Sequence, residues 1–205
     1  MKKVKNIQSK IYPIVTIIIV VLIWQLIVNF AHVPEYIIPS PLDILKTLVS
    51  DFKNIMENTE TTLYESFIGF FISIAVSFIL AVIMDSFEIV RKSIYPILLI
   101  SQTIPTIAIA PLFIIWFGFG VLPKIIVVVM VCFFPIVVSL VDGFEKVDRD
   151  YINLFNTMKA SKLQTFYHLK LPYAMVNFFS GLKIAATYMI MSAIIGEWLG
   201  GDNGI

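Results

Sequence analysis

Four stretches of the chain, residues 11–34, 66–84, 93–123 and 125–141, contain no Asp, Glu, Lys or Arg; a fifth, 172–199, is broken by Lys183 and closed by Glu197. A charge at the centre of a bilayer costs at least about 2.5–3.5 kcal/mol, so runs like these mark segments suited to hydrocarbon. At about 1.5 Å per residue, roughly 20 helical residues cross the ~30 Å apolar layer. The run over 93–123 overshoots one crossing and carries Pro96, Pro105 and Pro111, which predicts a surface helix turning into the membrane near Pro105. Composition agrees: 59% of residues are apolar, 14% are charged, and the mean hydropathy is +0.91. That is more apolar surface than one core could hide from water. The prediction is an all-α, polytopic membrane helical bundle with five spans.

Cation placement supplies a direction. With the N-terminus inside, the cytoplasmic segments hold Lys2, Lys3, Lys5 and Lys10, then Arg91 and Lys92, then Lys146, Arg149, Lys159, Lys162 and Lys170. The outer loops hold Lys46, Lys53 and Lys124. This bias predicts a cytoplasmic N-terminus and makes 142–172 a cytoplasmic loop. The N-terminal lysines ahead of an apolar run imitate a secretory signal, but the run is longer than a signal core and predicts an uncleaved anchor.

Several functions are excluded. The net charge of +1 gives no field for capturing nucleic acid. The single cysteine, Cys132, allows neither an internal disulfide nor a cysteine metal cluster and reads as a small core hydrophobe. His32 and His168 fall on opposite membrane sides in this topology, so they share no metal. No span carries a paired catalytic constellation, and no GxxxxGK[ST] phosphate loop is present, so the chain is expected to be no enzyme, to bind no cofactor and to hydrolyse no ATP unaided. Gln102, Thr103 and Thr106 flank the proline break, where freed backbone groups need a protein or water partner; they are candidates for a solute pathway or for helix-to-helix hydrogen bonds. Glu197 lies near the outer end of the fifth span, where it could gate, meet an external protein or touch water. Lys183 and Glu197 are about 21 Å apart along a helix and cannot pair; Lys183 reads as snorkelling to the cytoplasmic side, and Trp198 as an interfacial anchor.

The 142–172 loop carries a pattern. Tyr151, Leu154, Phe155 and Met158 recur at i, i+3, i+4 and i+7, the stripe of an amphipathic helix, with Asp148 and Asp150 placed to cap it. Ser161-Lys162-Leu163-Gln164 reads as a capping box opening a second short helix that ends before Leu171-Pro172. The two helices, joined near Lys159-Ala160, either pack on the protein's own spans or dock a soluble partner.

The stretch from Tyr151-Ile152 through Lys159-Ala160-Ser161-Lys162 to Leu171-Pro172, followed by Phe178-Phe179-Ser180-Gly181-Leu182-Lys183, resembles the EAA loop of ABC importer permeases. Pro39-Ser40-Pro41, Ile104-Pro105, Pro111-Leu112 and Trp116-Phe117-Gly118-Phe119-Gly120 look like the branch that imports nitrate, alkanesulfonates, taurine and the pyrimidine precursor of thiamine. The run ending in Gly196-Glu197-Trp198-Leu199-Gly200-Gly201 is most similar to the thiamine-pyrimidine permeases. The resemblance implies one permease domain over 1–205 in a bacterial plasma membrane, a homodimer with a second copy, two cytoplasmic ATP-binding subunits that use the ATP, and an extracellular or periplasmic substrate-binding protein. It also implies that Tyr151, Leu154, Phe155, Met158, Lys159, Ala160, Ser161, Leu171 and Pro172 belong to the ATPase-coupling loop. The solute would be a thiamine pyrimidine precursor first, taurine, an alkanesulfonate or nitrate next. Two departures stand out. The family's Glu-Ala-Ala falls on Asn153, Leu154 and Phe155, and its glycine, at a point where φ > 0 is wanted, falls on Lys159. The family usually has a sixth span, whereas five are expected here, which leaves an inactive, truncated permease as one alternative and a self-sufficient channel or secondary transporter as another.

Overall fold

The computed structural model describes residues 2–31, 34–200 and 204, with side chains from Ile11 onward. His32 and the N-terminal lysines Lys2, Lys3, Lys5 and Lys10 therefore lie outside the described side chains, as do Gly201, Asp202, Asn203 and Ile205. No strand occurs among the described residues. The chain divides into two compact units, 1–57 and 58–205.

The first unit holds α1 (Lys2–Phe30) and α2 (Pro41–Ser50), and the next helix, α3 (Phe52–Ser86), begins at its end. From Ile11 to Phe30, α1 is a candidate span. Short α2 is set by local chemistry: Ser40 is its N-cap and accepts from the Asp43 amide at 3.2 Å, with Pro41 pre-bent at the first position. The Ser40 hydroxyl in turn donates to Asp43 at 2.6 Å, and this bond, with the Lys46 ammonium, holds the Asp43 carboxyl below its usual value. The Leu42 amide donates to Gln25 at 3.1 Å, which ties α2 to α1.

In the second unit the rest of α3 is followed by α4 (Glu88–Ser101), α5 (Thr106–Phe117), α6 (Val121–Glu145), α7 (Arg149–Thr157), α8 (Lys162–Thr165), a π-helical turn (Phe166–Lys170) and α9 (Leu171–Gly200). Among the described residues four helices are long and apolar enough to cross a membrane; α4 and α5, bent by 101° at residues 102–105, supply a fifth crossing if counted as one broken span. The predicted turn at Pro105 is thus where the bend falls. The core is the α6–α9 pair with α3 laid against it. Gly181 makes that approach possible, since a Cβ there would sit 2.6 Å from the Pro135 carbonyl oxygen. Along α3, Gly69, Ser73, Ser77 and Ala81 recur every fourth residue and are buried. Ser73 and Ser77 donate to the carbonyls of Val129 and Phe133 on α6, at 3.1 and 3.0 Å. Small residues and interhelical hydrogen bonds replace the hydrophobic drive that lipid does not supply. Cys132 is fully buried there, its thiol 3.5 Å from the Ala185 carbonyl.

Candidate functional site: the connection between the last two long helices

Residues 146–170 join α6 to α9, and local sequence explains their conformation. Asp148 caps α7, accepting from the Asp150 amide at 2.9 Å, and Asp150 lies in the first turn, where its charge suits the helix dipole. At the far end of α7 the Ala160 amide donates to the Phe155 carbonyl and the Lys159 amide to the Asn156 carbonyl, each at 3.0 Å. These two bonds define a Schellman motif whose left-handed residue is Lys159, at φ +59°. The backbone thus adopts at Lys159 the conformation that the sequence comparison with the EAA loop asks of a glycine. Ser161 then opens α8 with a reciprocal capping box: its hydroxyl accepts from the Gln164 amide at 3.2 Å, and its own amide donates to the Gln164 side chain at 2.8 Å. His168 is exposed, with Nδ1 3.1 Å from the Gln164 carbonyl.

The connection is fixed from behind. Lys170 donates to both carboxylate oxygens of Asp85, at 2.8 and 3.1 Å, joining the π turn to the end of α3. Phe166 packs on Phe144 with ring centres 5.6 Å apart, and Thr165 is buried. Nearby, Arg91 pairs with Glu145 and the Tyr95 hydroxyl donates to Asp142 at 2.9 Å, so α4 is tied to the end of α6. Read from sequence, Asp85, Glu88, Arg91 and Lys92 look like an ordinary mixed-charge turn. In the fold, Glu88 and Lys92 pair locally, but Asp85 and Arg91 make long-range ties.

The opposite side of the connection is open. Tyr151, Leu154, Met158, Leu163 and Tyr167 are exposed, Met158 at 72% and Leu163 at 76%, whereas Phe155 and Ala160 are half-buried and Ser161 and Lys159 face solvent. Leu171 is half-buried and Pro172 exposed at the start of α9. A cavity of about 610 Å³ lies between the two short helices and the end of α3, lined by Ile152, Asn156, Ala160, Leu163, Phe166 and Asp85 among others.

The remaining candidates do not form one site. Gln102 and Thr106 line a separate cavity of about 570 Å³ with Ser139, Ile184 and Tyr188, whereas exposed Thr103, in the bend, donates to the Ile100 carbonyl at the end of α4 at 2.7 Å. Glu197 is 5% exposed and accepts from the Thr62 hydroxyl at 2.6 Å. Beside it, Glu65 and Lys124 form a buried ion pair at 3.2 Å. Lys124, counted in sequence among outer-loop cations, is thus inside the protein, held by a carboxylate that nothing in the local pattern pairs with it.

No group of three or more His, Cys, Asp or Glu side chains able to hold a metal occurs among the described residues. The described residues thus form a helical bundle with several candidate membrane spans, one bent helix pair, interhelical small-residue packing and a pinned loop that presents apolar side chains, the build of an integral membrane protein. The profile of the family described as "binding-protein-dependent transport system inner membrane component" matches residues 73–205, and the chain belongs to that family. It is 36% identical to the formylaminopyrimidine transport permease ThiX of Halalkalibacterium halodurans, over 98% of this chain and 80% of the relative. A probable ABC transporter permease of Haemophilus influenzae is 32% identical over 94% of this chain and 79% of its own length. The riboflavin transport permease RibX of Chloroflexus aurantiacus is 26% identical over 99% and 78%. The chain is therefore an ABC importer permease subunit, a multi-pass protein of the plasma membrane and not itself an enzyme. Such permeases need no cofactor of their own, and the family implies ATPase and substrate-binding partners.

Proposed function

We propose that two copies of this chain form the membrane pathway of an importer for a small organic solute, and that residues 149–170 are where cytoplasmic ATPase subunits grip it. The observation that carries this reading is the two-sided build of the connection. One side is anchored by Asp85–Lys170 and Phe144–Phe166; the other leaves Tyr151, Leu154, Met158, Leu163 and Tyr167 in the open. An amphipathic helix whose apolar face has no internal partner fits a groove on another protein. Between the alternatives of self-packing and docking, these exposures support docking. The N-terminus and the loop are then cytoplasmic, in keeping with the distribution of lysine and arginine. Within one transmembrane permease domain over 1–205, the loop at 142–172 is the coupling element. ATP-driven closure of the ATPase pair would draw the short helices together, and α9, which continues directly from the π turn, would carry that movement into the membrane as a rigid lever. A soluble binding protein would deliver the solute from outside. For the solute, a thiamine pyrimidine precursor is the leading reading, supported by likeness to a permease named for formylaminopyrimidine along nearly the whole chain.

The test is uptake measured beside ATP hydrolysis in membranes holding the assembled importer. Leu154→Asp and Phe155→Asp should abolish uptake while the permease still inserts, and charge reversal at Lys162 should weaken coupling. Normal uptake by properly inserted Leu154→Asp and Phe155→Asp variants would defeat the docking assignment.

A further inference from the structure

Polar contacts, half-buried at one level and buried at the other, mark two levels in the second unit. At one, Asp85 meets Lys170; at the other, Glu65 meets Lys124 and Thr62 donates to Glu197. Glu65 and Asp85 are 20 residues apart on one helix, about 30 Å, which is the thickness of a bilayer's apolar layer. Lys183 sits on α9 about 20 Å along the chain from both Lys170 and Glu197, and therefore near mid-depth. A four-carbon stem does not carry its ammonium to either level.

Lys183 also points away from the protein's own core. Ala174, Phe178, Gly181 and Ala185 form the buried face of α9, while Ser180, Lys183 and Thr187 are exposed on the other. No ion pair to Lys183 occurs among the described residues. A bare ammonium at this depth is costly against lipid. A second copy of the chain offers no remedy, because none of the five apolar runs contains an Asp or Glu at mid-depth. Water, and whatever the water carries, is the neighbour that suits an ammonium at this depth.

From this we infer that the Ser180–Lys183–Thr187 face of α9 lines a water-filled permeation pathway, and that Lys183 offers its ammonium to an anionic or carbonyl oxygen of the passing solute. The inference rests on the permease reading and deepens it by naming a recognition chemistry. The adjoining flank of α9, at Ile184 and Tyr188, lines the cavity that takes in Gln102, Thr106 and Ser139, which extends the polar lining toward the α4–α5 break. Solutes with an oxyanion or an exposed carbonyl satisfy three ammonium donors; wholly apolar or cationic solutes do not.

The experiment needs neither a known solute nor a functioning ATPase, so its outcome is separate from that of the docking test. Thr187→Cys and Ser180→Cys are placed in the full chain in membranes and exposed to methanethiosulfonate reagents bearing either a sulfonate or a trimethylammonium group. Wild-type protein, whose Cys132 is fully buried, is the unreactive control. Both new cysteines should react at least about tenfold faster than Cys132. The ratio of sulfonate to trimethylammonium rates at Thr187→Cys should fall about tenfold when Lys183→Met is added, and stay near its starting value with Lys183→Arg. Unreactive cysteines in correctly inserted protein would show the face to be covered by lipid or a second copy and would overturn the inference. Reactive cysteines with a charge ratio indifferent to Lys183→Met would overturn the role given to the ammonium.

Discussion

Replacing Lys159 by glycine should tighten the connection between α7 and α8. Lys159 is the left-handed residue of the Schellman motif, at φ +59°, and a side chain there costs roughly 1–2 kcal/mol. Glycine removes that cost but returns about 0.5–1 kcal/mol through the greater freedom of the unfolded segment. The net gain is on the order of 0.5–1 kcal/mol, or about a two- to fivefold smaller open fraction of the motif. Hydrogen exchange at the Ala160 amide, which donates to the Phe155 carbonyl, reads that fraction directly. After correction for the neighbouring residue, exchange in Lys159→Gly should be about two- to fivefold slower than in wild type. Lys159→Ala separates conformation from charge, since it loses the ammonium but keeps a Cβ in the left-handed region. It should exchange like wild type. If Lys159→Ala is protected as strongly as Lys159→Gly, charge and not backbone strain governs the motif; if neither differs from wild type, the conformational argument fails.

Gly181→Ala should destabilise the α6–α9 contact by about 1–3 kcal/mol, because the new Cβ would meet backbone at 2.6 Å, and a drop in the melting temperature of detergent-solubilised protein would register it. Removing one partner of the Asp85–Lys170 pair should cost about 1.5–3 kcal/mol in the same assay, and the exchanged pair Asp85→Lys with Lys170→Asp should recover part of the loss. Lys124→Met should cost about 3–5 kcal/mol by stranding Glu65, and adding Glu65→Gln should restore much of it; additive losses in the double variant would argue against the pair.

What could be read from the chain alone was what local rules govern. The charge-free runs overlap each candidate span among the described residues, because the penalty for a charge in hydrocarbon acts position by position. The caps at Asp148 and Ser161 follow from residue type and spacing within one turn, whereas the left-handed conformation at Lys159 was expected only from the glycine that the resembled EAA loop carries there. The same rule hid the true length of α3. That helix starts at Phe52 and carries Lys53, Glu57, Glu60 and Glu65 before its apolar part, so a charge-free criterion begins it only at Ser66. Pairings over long separations, Asp85 with Lys170, Arg91 with Glu145 and Glu65 with Lys124, depend on which helices become neighbours and leave no mark in either partner's vicinity. The loop's role was half legible: an apolar stripe is visible in sequence, but whether it faces inward or outward is decided by packing. Ile152 and Phe155 turn partly inward while Leu154 and Met158 stay out.

Site-directed photo-crosslinking of the assembled importer puts the central assignment to the most direct test. A benzophenone side chain placed at Leu154, Met158 or Tyr167 should form adducts with the ATPase subunit, whereas one at Trp198, exposed at the far end of α9, should form none. ATPase adducts from Trp198 but not from the three loop positions would contradict the account.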